Sequence, residues 1–153
     1  MESEKSLVEV LGFAKGTDLT TENVREVIGH IETFARAGDM GPPVEIPITH
    51  HFSKDIYGRE MRMKAGDLVV GKIHRFSQLN ILSSGEVSIL SIDGLLQVKA
   101  PYTFVGSEGA KRLIYAHSDV TWTTIHGTDL KDVDQIEEQF IVKDYSQLKL
   151  EGS

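Results

Sequence analysis

Between residues 44 and 126 the chain breaks into short segments rich in Val, Ile and Thr, at 44–52, 57–63, 68–76, 78–83, 86–92, 95–99, 102–105, 112–117 and 120–126. The residues between them form turns: Lys64-Ala65-Gly66-Asp67, Ser83-Ser84-Gly85, Asp93-Gly94, Ala100-Pro101 and Gly106-Ser107-Glu108-Gly109. Segments of this length read as strands, and strands joined only by turns build an antiparallel sandwich or barrel. A parallel α/β sheet is excluded, because its crossovers need helices and no segment of helix length lies between these strands. Ile92-Asp93-Gly94-Leu95 predicts a two-residue hairpin, since Asp-Gly supplies the positive φ of a primed turn.

The periodicity changes on both sides of this region. From Asp18 to Ala37 the residues Leu19, Val24, Val27, Ile28, Ile31, Phe34 and Ala35 recur three and four apart, the spacing of one helix face. Asp18 or Thr20 can cap this helix, Gly38 can end it, and Gly41-Pro42-Pro43 breaks the chain after it. Beyond His126, with Thr128 or Asp129 as cap, a second helix is predicted. Its stripe is Leu130, Val133, Ile136, Phe140 and Ile141, and its acidic face of Asp132, Asp134, Glu137 and Glu138 reads as solvated. The stripe is expected against the barrel exterior or a partner chain, and the ten residues from Asp144 read as an extended or frayed tail. The organisation is thus a helical segment (1–43), a β-barrel (44–127) and a C-terminal helix with its tail (128–153).

At 153 residues the chain suits one domain. It contains no cysteine, which removes disulfides, thiolate metal sites and cysteine nucleophiles, so any metal would rest on His, Asp, Glu, Asn or Gln. There is no apolar run of about 18 residues and no basic-then-apolar start, so a membrane span is not expected and a cytoplasmic location is. Residues 1–40 carry four basic and eight acidic side chains, residues 41–118 nine and seven, and residues 119–153 three and eight. This acidic balance argues against a broad nucleic-acid surface, while the mildly basic middle suits a small anion. Nucleophile elbows, phosphate loops and H-E-x-x-H are all missing from the sequence. Arg59 and Glu60, adjacent on one strand, read as a cross-sheet pair.

The run from Gly66 to Glu86 resembles the first motif of the cupin superfamily, with a glycine before an H-x-H pair, an acidic ligand and a glycine at the next turn. Ser107-Glu108-Gly109-Ala110-Lys111-Arg112 is similar to the second motif, in which a histidine follows the glycine by three residues. The likeness spans roughly residues 44–126, and with Trp122-Thr123-Thr124-Ile125-His126 it extends to small cupin-like proteins of tailed phages. It implies an antiparallel cupin-type β-barrel, or jelly roll, which assembles as a homodimer or higher homo-oligomer. Position by position the cupin metal site is depleted: His74 matches its first ligand, but Phe76 stands at the second histidine, Gln78 or Asn80 at the acidic position, and Arg112 at the last histidine. An arginine repels a cation, so no metal is expected.

On a strand, residues two apart share a face. His74, Phe76, Gln78, Asn80 and Leu82 are therefore expected in the lumen, with Arg112, Ile114 and Ala116 opposite. Arg112 would supply a bidentate fork, the two amides would read polar edges, and Phe76 would offer a stacking surface. His74, Phe76, Gln78, Asn80 and Arg112 are thus the candidate ligand-binding residues, for a small anionic or polar compound such as a nucleotide, sugar phosphate or carboxylate. Each also has a plain structural role open to it: Gln78 and Asn80 in bonds to neighbouring strands, Arg112 in a rim ion pair with Glu108 or Glu60, Phe76, Phe104 and Trp122 in the core. Two other functions remain open. One is a metal-dependent cupin enzyme (a dioxygenase, isomerase or lyase) in which His51, His74 and His126 converge on Zn, Fe, Mn or Ni. The other is a structural phage virion or assembly component.

Overall fold

The computed structural model describes residues 21–36 and 45–151. In chain order the elements are α1 (Thr21–Arg36), β1 (Ile48–Ser53), β2 (Ile56–Met63), β3 (Leu68–Val70), β4 (Ile73–His74), β5 (Gln78–Ser84), β6 (Glu86–Ser91), β7 (Gly94–Lys99), β8 (Tyr102–Gly106), β9 (Leu113–Ala116), β10 (Val120–Gly127), α2 (Val133–Phe140), β11 (Ile141–Val142) and α3 (Ser146–Glu151). The strands form a five-stranded sheet in the order β1-β2-β10-β5-β8 and a four-stranded sheet in the order β3-β9-β6-β7, while β4 pairs with β11 apart from both. All pairings are antiparallel. This is the mainly β, jelly-roll barrel expected, with helices before and after it.

One apolar cluster closes the barrel. Met61, Met63, Leu82, Val120 and Trp122 from the larger sheet pack against Val87, Ile89, Ile114 and Ala116 from the smaller. The smaller sheet is covered on its outer face too. There α1 lays Val24, Val27, Ile28 and Ile31 over Leu90 and Leu113, and Lys111 Nζ binds Glu32 Oε2 at 2.5 Å. With both faces covered, β6 loses the polar-out alternation of a half-exposed strand and is buried from Val87 through Ser91. Ile28 is 1% exposed at the centre of this contact. Ile28→Val is expected to lower the unfolding free energy by about 1 kcal/mol in denaturant titrations, with no effect on the lumen.

Several local expectations change. Asp18, Leu19, Thr20, Gly38 and residues 41–43 lie outside the described residues, as do the side chains of Phe34 and Ala35. The segment 68–76 divides at Gly71-Lys72 into β3 and β4. The β6–β7 hairpin pairs Ser91 with Gly94, so its two-residue loop is Ile92-Asp93. Only Gly94 of these takes a positive φ, at 107°, because the sheet accommodates the turn one residue earlier than Asp-Gly suggests. Asp132 caps α2, its side chain accepting from Gln135 N at 3.1 Å, in place of Thr128 or Asp129. The tail coils into α3 behind Asp144, whose carboxylate accepts from Ser146 N at 2.8 Å.

Candidate functional site

Strand register stacks the inner face of the larger sheet into layers. Ile48 pairs with Met61, Met61 with Trp122, and Trp122 with Leu82, giving an apolar floor. The next layer runs His50, Arg59, Thr124, Asn80 and Phe104 across all five strands. Above it stand Tyr57 and His126, and then Gln78 opposite Gly106. Between these layers and the smaller sheet is a cavity of about 340 Å³. Among its lining residues His50, Arg59 and Lys72 are exposed and mark its opening, while Arg112 is 5% exposed and lies deep inside.

Arg112 is held by amides. Its Nη2 donates to Gln78 Oε1 at 2.5 Å. Gln78 Nε2 donates to the Phe76 carbonyl at 2.9 Å, and Asn80 Nδ2 reaches Gln78 Oε1 at 3.3 Å. Asn80 Oδ1 in turn accepts from Trp122 Nε1 at 3.1 Å and Thr124 Oγ1 at 3.0 Å. No carboxylate pairs with Arg112 among the described residues, and burial brings its guanidinium down to about 10 against a weaker upward pull from Asp93. Gly106 makes the approach possible: a Cβ there would overlap the Arg112 guanidinium and Gln78 Oε1.

Four rings line up beside this network. The His50 and Tyr57 centroids are 5.8 Å apart, Tyr57 and His126 6.2 Å, and His126 and His74 6.1 Å, each pair near parallel. His50 Nδ1 and the Tyr57 hydroxyl share a hydrogen bond of 2.7 Å. Burial, reinforced by the charges of Arg112, His126 and Arg59, holds the His74 imidazole down at about 3. Burial and then Arg59 hold His126 at about 4. Both rings are therefore neutral near pH 7, and the cations facing the cavity are guanidinium groups and Lys72.

The C-terminal segment completes the wall. Instead of packing on the barrel exterior, α2 lies across the cavity and contributes Val133, Ile136, Glu137 and Phe140 to its lining. The Phe140 ring packs on His126, tilted by 30° with centroids 4.4 Å apart, and Ile136 and Phe140 are buried with Tyr57. Glu137, read from sequence as solvated, pairs with Lys72. β11 continues from α2 and pairs Ile141 with His74. On the other edge of His74, its N–H donates to the Ala110 carbonyl at 3.0 Å and its carbonyl accepts from Gly109 N at 2.7 Å. The two sequence motifs thus meet, with the turn of the second gripping the histidine of the first.

Of the candidate residues, His74 and Arg112 line the cavity, while Gln78 and Asn80 are buried in the network behind Arg112. Phe76 does not join them. It sits in the bend between β4 and β5, 44% exposed, with its ring edge-on to Phe140 at 5.9 Å. The convergence of His51, His74 and His126 is also overturned: alternation on β1 turns His51 outward, where it meets Glu60 at 3.4 Å. Among the described residues no three His, Asp or Glu side chains are placed to share a metal. The parallel rings of His74 and His126, with a guanidinium beside them, likewise do not suit a cation. Glu60 pairs with Arg62 at 2.9 Å on the outer face, so the expected Arg59–Glu60 pair does not form.

Tyr57, Arg59, His50 and Thr124 are lining residues that the sequence reading missed. The signal was present, because counting back in twos from the apolar Met63 and Met61 reaches Arg59 and Tyr57. Among the described residues, no helix is long and apolar enough to cross a membrane.

No protein-family model matches the chain. A search of curated proteins likewise found no match. Among solved structures, the chain is similar to a cupin superfamily protein from Desulfitobacterium hafniense, at 12% identity over 58% of this chain and 83% of that one, with a TM-score of 0.49. It is also similar to an RmlC-like cupin family protein with a double-stranded β-helix fold from Methanocaldococcus jannaschii (10% identity, 56% and 82% covered, TM-score 0.47) and to an acetylacetone dioxygenase from Acinetobacter johnsonii (15%, 54% and 59%, 0.46).

Proposed function

We propose that the protein binds a small organic anion in the barrel lumen, without catalysis. The observation that carries this reading is Arg112, a guanidinium buried in the cavity and hydrogen-bonded there to the neutral Gln78 amide in place of a carboxylate. A desolvated cation is stable only when something compensates its charge, and an anion entering the cavity does so with charge-assisted hydrogen bonds. The apolar floor of Ile48, Met61 and Trp122 suits a ligand with a non-polar body, and the neutral His74 and His126 rings add hydrogen-bonding groups. A carboxylate or phosphate ester fits this chemistry, and the volume limits its size.

The test is mass spectrometry of small molecules released when the purified protein is denatured. An anionic compound is expected from the wild type. Arg112→Gln should retain it about 10- to 100-fold less tightly, the equivalent of losing a charged hydrogen bond worth 1.5–3 kcal/mol, while thermal unfolding confirms that the variant is folded. A neutral compound held equally by both proteins overturns the proposal.

A further inference from the structure

A second guanidinium faces the same cavity from another strand. Arg59 belongs to the layer of His50 and Thr124, near the opening, whereas the Arg112 guanidinium rests on Gln78. In the larger sheet β10 lies between the strand of Arg59 and that of Gln78. Adjacent strands are about 4.8 Å apart and Gln78 stands two residues along β5 from the layer of Arg59, so the stems of Arg59 and Gln78 are separated by roughly 12 Å. The intervening strand contributes Thr124 and His126, both neutral hydrogen-bonding groups near pH 7. Among the described residues no ion pair engages either guanidinium, and Glu137, the one carboxylate in the lining, is paired with Lys72.

Resting on the anion-binding proposal above, we infer that the ligand is a dianion whose two anionic groups are separated, one bound at Arg112 in the interior and the other at Arg59 near the opening. A single carboxylate would engage one guanidinium and leave the other facing the cavity without an anionic partner. Two groups joined by a short chain would satisfy both, with the linking atoms passing Thr124 and His126. The class is a short dicarboxylate, or a carboxylic acid that also carries a phosphate ester. His74 lines the same cavity as both guanidinium groups.

The experiment is calorimetric titration of the full chain with succinate, glutarate and adipate, each compared with its monomethyl ester, which keeps the length and removes one charge. At least one diacid is expected to bind 10-fold or more tighter than its ester. Arg59→Gln should abolish that difference, whereas Arg112→Gln should weaken the binding of both compounds. A diacid and ester that bind equally, with both still dependent on Arg112, would overturn the dianion inference and leave the anion proposal standing. Binding of neither, or binding indifferent to Arg112, would overturn both. Thermal unfolding of each variant separates lost binding from lost fold.

Discussion

Acidification from pH 7 to pH 4.5 is expected to remove several kcal/mol of stability, well before most carboxylates are protonated. In the folded protein His74 and His126 titrate at about 3 and about 4, below the ordinary histidine value of 6.5, because burial opposes their charged forms. In the unfolded chain both take up protons as the pH falls through 6.5. The unfolded state therefore binds more protons across this window, and stability declines as the pH drops. The contribution is fully present above pH 6.5 and diminishes toward the folded values. At about 1.4 kcal/mol per pKa unit the loss by pH 4.5 is about 3 kcal/mol for His74, and about 1–2 kcal/mol for His126 after discounting for solvent at the cavity wall. Denaturant titrations at half-unit intervals measure it, and His74→Gln should flatten the slope. A profile as steep in that variant as in the wild type would show that His74 is not held neutral.

Two glycine-to-alanine substitutions are expected to act with opposite signs. At Gly106 the added methyl would overlap the Arg112 guanidinium and the Gln78 amide, breaking a buried hydrogen bond and displacing a charged group. The expected loss is about 2–4 kcal/mol together with anion binding. At Gly29, exposed on α1, an added Cβ meets nothing within 4 Å. That substitution should stabilise the protein by about 0.5–1 kcal/mol through helix propensity alone and leave binding unchanged. Equal effects at the two sites, read from melting curves and ligand titrations, would show that Gly106 is not a close-approach position.

The strands were legible because alternation and turn residues are local signals, and most of the nine segments coincide with an observed strand to within two residues at either end. The lumen was only partly legible. Counting in twos from His74 placed Gln78 and Asn80 correctly inward, yet Phe76, between His74 and Gln78, lies in a bend where the alternation does not hold. Arg59 was misassigned because Glu60 offered an obvious partner by sequence, whereas consecutive residues of a strand face opposite ways. That Gln78 holds Arg112, and that α2 covers the cavity, depend on contacts between distant segments, which periodicity does not encode.

Since β11 pairs with His74 and α2 walls the cavity, the stretch 44–127 is not a portable module. Transplanted alone, it would take the floor and both guanidinium groups but leave their cover behind, admitting bulk water to the arginine that the native arrangement keeps dry. The structural unit that encloses the lumen therefore runs through Val142, past the point where the barrel strands themselves are complete.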